Sequence, residues 1–264
     1  AAIDKEDRHQ LGRAPLDAAE PFSAEKLASV LIGMVCSLIA VAFLIRMGRK
    51  FEGLYWLAPA IFLVILYVSY AARYEEAYWY PYDLPHMLLF GAACLCLFEG
   101  PLWLVLPLFI LDVPMRETSI YLVLIAAPFF AQRWKWKVAA AALVGMAAYW
   151  VVVRLAISRA FALNDSETGS RLLLNLKNLA LPLHWPQMAS ALGFLLIPVF
   201  LGRSYLPMPM RRFLYTMIPC LLVTAWFGMW IESRITLEWS MPLAYLATLE
   251  LLGYMRQEPL ILHG

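Results

Sequence analysis

Between two apolar runs, Leu102–Leu111 and Ser119–Phe130, stands the heptapeptide Asp112-Val113-Pro114-Met115-Arg116-Glu117-Thr118. The first run, read as a helix, is about 15 Å long, half of the ~30 Å hydrocarbon core of a bilayer. Two accounts compete. The runs are one long helix broken at Pro114, or they are two short legs that meet below a membrane surface. Either way an aspartate, an arginine and a glutamate are set among apolar residues, where charge is expensive and marks a partner or a pathway.

Composition decides the surroundings. Of 264 residues, 62% are apolar and 15% charged, where soluble domains sit near half and a quarter. The expectation is an all-α, polytopic transmembrane bundle. Ten Trp, thirteen Tyr and fourteen Phe supply the aromatic load of helices that meet headgroups. A formal net charge of +2, with no long Lys/Arg block, gives no footprint for nucleic acid. Cys36, Cys94, Cys96 and Cys220 all lie inside apolar runs and read as small core side chains, not disulfides or metal ligands. No HExxH, GxGxxG, P-loop or paired histidine occurs, so the sequence calls for neither metal nor cofactor.

In chain order, residues 1–26 are a polar segment of mixed charge. Apolar spans follow at Leu27–Ile45, Leu54–Ala72 and Leu84–Phe98, then the two short runs, then Val138–Val153, Pro186–Leu201, Phe213–Trp230 and Trp239–Leu252. The longest loop, Arg154–Trp185, has a turn at Asn164–Gly169 and a leucine-rich half, Leu172–Leu183, suited to lying flat on a membrane. Arg46, Arg49, Lys50, Arg133, Lys135, Lys137, Arg203, Arg211 and Arg212 fall on one side only if the short runs cross as two legs. The positive-inside rule therefore favours about eight membrane segments, a bundle over 27–252, residues 1–26 outside and the 253–264 tail in the cytoplasm. Asp112–Thr118 becomes a recessed corner that faces outward.

On that topology the unusual ionisable residues share the outer side: Glu75, Glu76, Asp83, His86, Asp112, Arg116, Glu117, Glu232, Arg234 and Glu238. Arg116 and Arg234 can each offer a guanidinium fork to phosphate. Asp83, Glu117 and Glu232 are the candidate catalytic carboxylates; they can serve as a base for a hydroxyl, or simply hold the arginines. His86 and Tyr82 complete the candidate substrate-binding set. Tyr74, Tyr78, Trp79, Tyr80 and Tyr82 either stack on sugar rings or form an interfacial belt. The competing account makes the charges ion pairs that stitch helices together.

Tyr82-Asp83-Leu84-Pro85, Arg116-Glu117-Thr118 and Glu232-Ser233-Arg234 before a span that begins near Pro242 form a recognisable order. With the stretch 178–203 (Leu-Pro-Leu-His-Trp-Pro, Gly193-Phe194, Pro198), it resembles a family of bacterial polytopic proteins, similar in turn to the GT-C superfamily of glycosyltransferases. The resemblance covers roughly residues 27–252. It implies sugar transfer from a polyprenyl-phosphate-linked donor on the extracytoplasmic side of a bacterial inner membrane. It also implies a catalytic acid in a first outer loop that follows a first helix. Here no helix precedes residues 1–26 and that place holds Asp4, Glu6 and Asp7, the pattern of an incomplete or processed chain. A chain without that acid would be a non-catalytic subunit with a GT-C-like shell, bound to partner membrane subunits. A transporter is the third expectation, although the halves show no repeat.

Overall fold

The computed structural model describes residues 24–50, 54–71, 81–161, 170–186, 194–228 and 233–257, with the side chains of 24–26, 70–71 and 233–235 outside that description. Among the described residues the fold is all-helical, with no strand. Ten α-helices follow one another: α1 (Ala24–Gly48), α2 (Leu57–Leu66, continued by a π-turn Tyr67–Ala71), α3 (Asp83–Glu99), α4 (Val105–Asp112), α5 (Tyr121–Arg133), α6 (Trp136–Ala160), α7 (Leu172–Ala180), α8 (Leu196–Leu201), α9 (Met208–Phe227) and α10 (Ser240–Arg256).

Helix α3 is the pillar. Every residue from Phe90 to Phe98 is buried, which needs an apolar surface all round rather than a stripe. It packs against α1, α4, α5 and α10. Small residues let the neighbours close in: a Cβ on Gly91 would lie 2.6 Å from Met241 Sδ and 2.7 Å from Met241 Cβ on α10. At the far end of α3, Glu99 is held by both Lys50 and the Tyr245 hydroxyl, and Arg133 Nη2 donates to the Phe98 carbonyl at 3.0 Å. That knot ties the ends of α1, α3, α5 and α10. Cys36, Cys94, Cys96 and Cys220 are all free and buried.

The two short apolar runs are separate helices. The first is α4 with a 3-10 turn, Leu102–Leu104, ahead of it; the second is α5, entered through another 3-10 turn, Glu117–Ile120. Between them Arg116 is extended (φ −144°, ψ 151°), so the helical path is broken rather than bent. The run at Val138 goes further than its apolar residues suggest, through Arg154 to Ala160, so the long loop begins later. Of the run from Pro186, Leu196–Leu201 is helical and 187–193 lie outside the described residues, as do 1–23, Asn164–Gly169 and 258–264.

Among the described residues two helices, Leu27–Gly48 within α1 and α6, are long and apolar enough to cross a membrane. The runs Leu57–Ser69 and Leu102–Asp112 are apolar but shorter.

Helix α7 is built inside out. Asn175 and Asn178 are buried, while Leu173, Leu176 and Leu179 are exposed. The buried Asn175 amide donates to the carbonyls of Ala225 (2.6 Å) and Gly228 (2.7 Å), and the Arg171 N–H donates to that of Trp226 (2.8 Å). These are the acceptors that the end of α9 leaves without an intrahelical donor.

The Gly91 contact yields a paired test by thermal unfolding. Gly91→Ala should destabilise by about 1–3 kcal/mol, because the added methyl must push α10 away. Gly145→Ala in α6, where a Cβ meets nothing within 4 Å, should be neutral or slightly stabilising, since alanine is the better helix former.

Candidate functional site

Pro114 opens the corner by lacking an N–H, which strands the carbonyl of Ile110 one turn earlier. Tyr149 of α6 donates its hydroxyl to that carbonyl at 3.3 Å. Arg154 Nη2 donates to Val113 O at 2.8 Å, and Trp150 Nε1 donates to Glu117 O at 3.0 Å. One stretch of α6 thus satisfies three carbonyls that the broken path frees. Arg116 O accepts from the Ser119 hydroxyl at 2.7 Å.

Beneath the corner lies a buried charge cluster. Asp83 and His86 sit one turn apart at the start of α3, Asp112 ends α4, and Glu238 belongs to the 3-10 turn Ser233–Trp239 that leads into α10. Asp83, His86, Asp112 and Glu238 have no solvent exposure, and Arg116 has 6%. His86 Nδ1 lies 2.7 Å from Asp112 Oδ1, and its Nε2 lies 3.1 Å from Thr118 Oγ1. A single oxygen, Glu238 Oε2, stands 3.6 Å from His86 Nε2 and 3.7 Å from Arg116 Nη1. The same Arg116 Nη1 is 3.5 Å from Asp83 Oδ1. Burial penalises the Arg116 charge, but the carboxylates of Glu238, Asp83 and Glu117 outweigh it and raise the guanidinium above its ordinary range. Rings hold the cluster in place: His86 faces Phe90, Phe90 meets Trp239 edge-on at 5.2 Å, and Trp239 stacks on Tyr121.

Above the cluster opens a cavity of about 820 Å³. Its walls come from the corner (Pro114 to Thr118), from Trp150, Arg154, Ile157 and Phe161 of α6, and from Val223, Thr224 and Phe227 at the end of α9. Tyr82 and Arg171 lie on the rim, and Tyr121 forms part of the floor with its hydroxyl 3.0 Å from Thr224 Oγ1. Three arginines, Arg116, Arg154 and Arg171, therefore line a space whose described lining holds one carboxylate, Glu117. Such a lining suits an oxyanion with forked acceptor oxygens, above all a phosphate.

The sequence-derived candidates divide. Arg116, Glu117 and Tyr82 line the cavity. Asp83 and His86 stand behind it, fully buried, and reach it only through Arg116 and Thr118. Glu232 and the Arg234 side chain lie outside the described residues, as do Glu75, Glu76, Tyr74, Tyr78, Trp79 and Tyr80. Sequence reasoning missed Arg154 and Arg171, having assigned both to a loop. The spacing Trp150, Arg154, Ile157, Phe161 was the available signal, since those positions share one helix face. Among the described residues no group of three His, Cys, Asp or Glu is arranged to hold a metal ion.

The fold and site define a helical protein with a cationic cavity at a break between two short apolar helices. No family model matches the chain, and no curated protein or solved structure matches it either.

Removing Arg116 takes its guanidinium away from two buried carboxylates, those of Asp83 and Glu238. Arg116→Ala should therefore cost about 3–5 kcal/mol, the range for breaking a buried pair from one side. Thermal unfolding of Arg116→Ala against Glu117→Ala, whose side chain is exposed to the cavity, checks the ranking.

Proposed function

We propose that this chain is an integral membrane protein whose corner cavity binds the phosphate of a polyprenyl-phosphate-linked sugar and transfers that sugar to an acceptor hydroxyl. The observation that carries the reading is the cavity lining: Arg116, Arg154 and Arg171 around a space with Glu117 at its edge. The arginines would take the phosphate oxygens. Glu117 would accept the proton of the acceptor hydroxyl as its oxygen bonds the anomeric carbon. The carbon–oxygen bond to phosphate then breaks, its electron pair leaving with the polyprenyl phosphate, whose growing charge the arginines stabilise.

Three features support the membrane setting. The apolar window of α6 is only 6% buried and that of α1 17% buried, whereas the core helix of a soluble protein is mostly covered. Helix α7 turns its asparagines inward and its leucines outward, which favours lipid over water as its outer neighbour. The cavity itself has an apolar wall that includes Ile157, Val223 and Phe227. A prenyl chain would lie along that wall. About eight segments with the corner outward, in a bacterial inner membrane, is the topology that fits the basic loops.

A second reading, a non-catalytic subunit of a membrane complex, shares the cavity but not the reaction. Protein in lipid nanodiscs, incubated with a polyprenyl-phosphate-linked sugar, separates them. Lipid extraction and mass spectrometry should find the donor bound. Arg154→Ala should weaken binding at least about tenfold, as expected for one charge-assisted pair. Glu117→Gln should keep the donor and lose transfer. Donor held by the wild type with no transfer to any sugar or lipid acceptor would leave the subunit reading standing. Donor recovered from the wild type at no more than the level of empty nanodiscs would remove the transferase reading.

A further inference from the structure

His86 is the buried group that the reaction above does not use. It faces Asp112 of α4, Thr118 of the corner and Glu238 before α10; Arg116 shares the Glu238 carboxylate with it, and Asp83 and Cys94 are on its own helix. The imidazole and the cavity arginine address the same atom, Glu238 Oε2, at 3.6 and 3.7 Å.

We infer that His86 is a positioning residue for Arg116: by sharing Glu238 with that arginine, it sets how much carboxylate charge bears on the guanidinium at the cavity wall. The inference rests on the phosphate-binding reading. With His86 neutral, Nδ1–H donates to Asp112 and Nε2 accepts from the Thr118 hydroxyl, so the Glu238 charge falls on Arg116 alone. With His86 protonated, Nε2–H faces the Glu238 oxygen and the imidazolium offsets its charge. Arg116 then presents a stronger field to an anion in the cavity. Protonation of His86 and binding of phosphate thereby favour each other, and by linkage the preference is mutual.

The sign follows directly. Anion affinity should be high where His86 is charged and fall as pH rises through its titration. A change of one charge at short range behind a partly desolvated guanidinium is worth about tenfold in affinity.

The probe is farnesyl methyl phosphate, a diester with a fixed single charge, titrated onto the full chain in nanodiscs between about pH 6 and about pH 11, a window wide enough to take an imidazolium beside carboxylates through its loss of charge. The wild type should bind about tenfold more weakly at the upper end. His86→Gln should bind with an affinity that does not vary over this range. Glu238→Gln should also be flat, and as tight as the wild type at low pH, since the charge that His86 controls is gone. Wild-type slope retained in His86→Gln, or a flat wild type, overturns the inference while leaving the phosphate reading intact. A wild type that binds the probe at no pH overturns both. If His86→Gln does not fold, Glu238→Gln decides: an unchanged slope there sinks the inference. If neither variant folds, the cluster is a structural stitch and His86 positions nothing for the ligand.

Discussion

A backbone that leaves the helix frees carbonyls, and each of them needs a donor. The break at Pro114 meets that demand with three side chains from α6. Tyr149, Arg154 and Trp150 donate to the carbonyls of Ile110, Val113 and Glu117, respectively. The corner and α6 therefore depend on each other. Helix α6 lies on α5 with only Ala139 and Met146 of its 25 residues buried, and these bonds add a polar attachment to the corner. Without α6 the corner would carry orphaned acceptors at a cost of about 1–3 kcal/mol each.

The same economy governs the charges. Asp83, Asp112 and Glu238 are three fully buried carboxylates, faced by one guanidinium and one imidazole. Their mutual attraction barely offsets their desolvation, so the cluster is poor at raising stability. Its merit is direction. It fixes one face of Arg116 from behind and leaves the cavity to the other. The aromatic packing of Phe90, Trp239 and Tyr121 then restrains the turn that carries Glu238.

Much of this was legible in the sequence. Apolar runs located most of the described helices, because all-helical packing leaves hydrophobic length as the dominant signal, but α6 continues past Val153 to Ala160 and only Leu196–Leu201 of the run from Pro186 is a described helix. The corner could be read from two runs of insufficient length around a proline and three charges. Which charges face the cavity could not. Asp83, His86 and Arg116 look alike in sequence, yet the two on α3 lie behind Arg116, an outcome fixed by how α3 and the turn before α10 pack. Arg154 was misassigned because a charge after an apolar run resembles a loop, whereas the helix continues through it to Ala160. Asn175 and Asn178 show the limit of amphipathic patterns: leucines at helical spacing reveal a face but not the side on which the protein stands.

Arg154 has one nitrogen on the Val113 carbonyl while its side chain lines the cavity, so it performs two tasks with one planar group. A lysine at 154 has a single ammonium at the end of a flexible stem, and it would have to choose between the backbone and the guest. The corner thus restricts which cation evolution can keep at this position, quite apart from what the cavity holds. Sequence drift at 154 should be narrower than at Arg159, five residues further along the same helix, where the side chain is exposed and no carbonyl of the corner is within its charge.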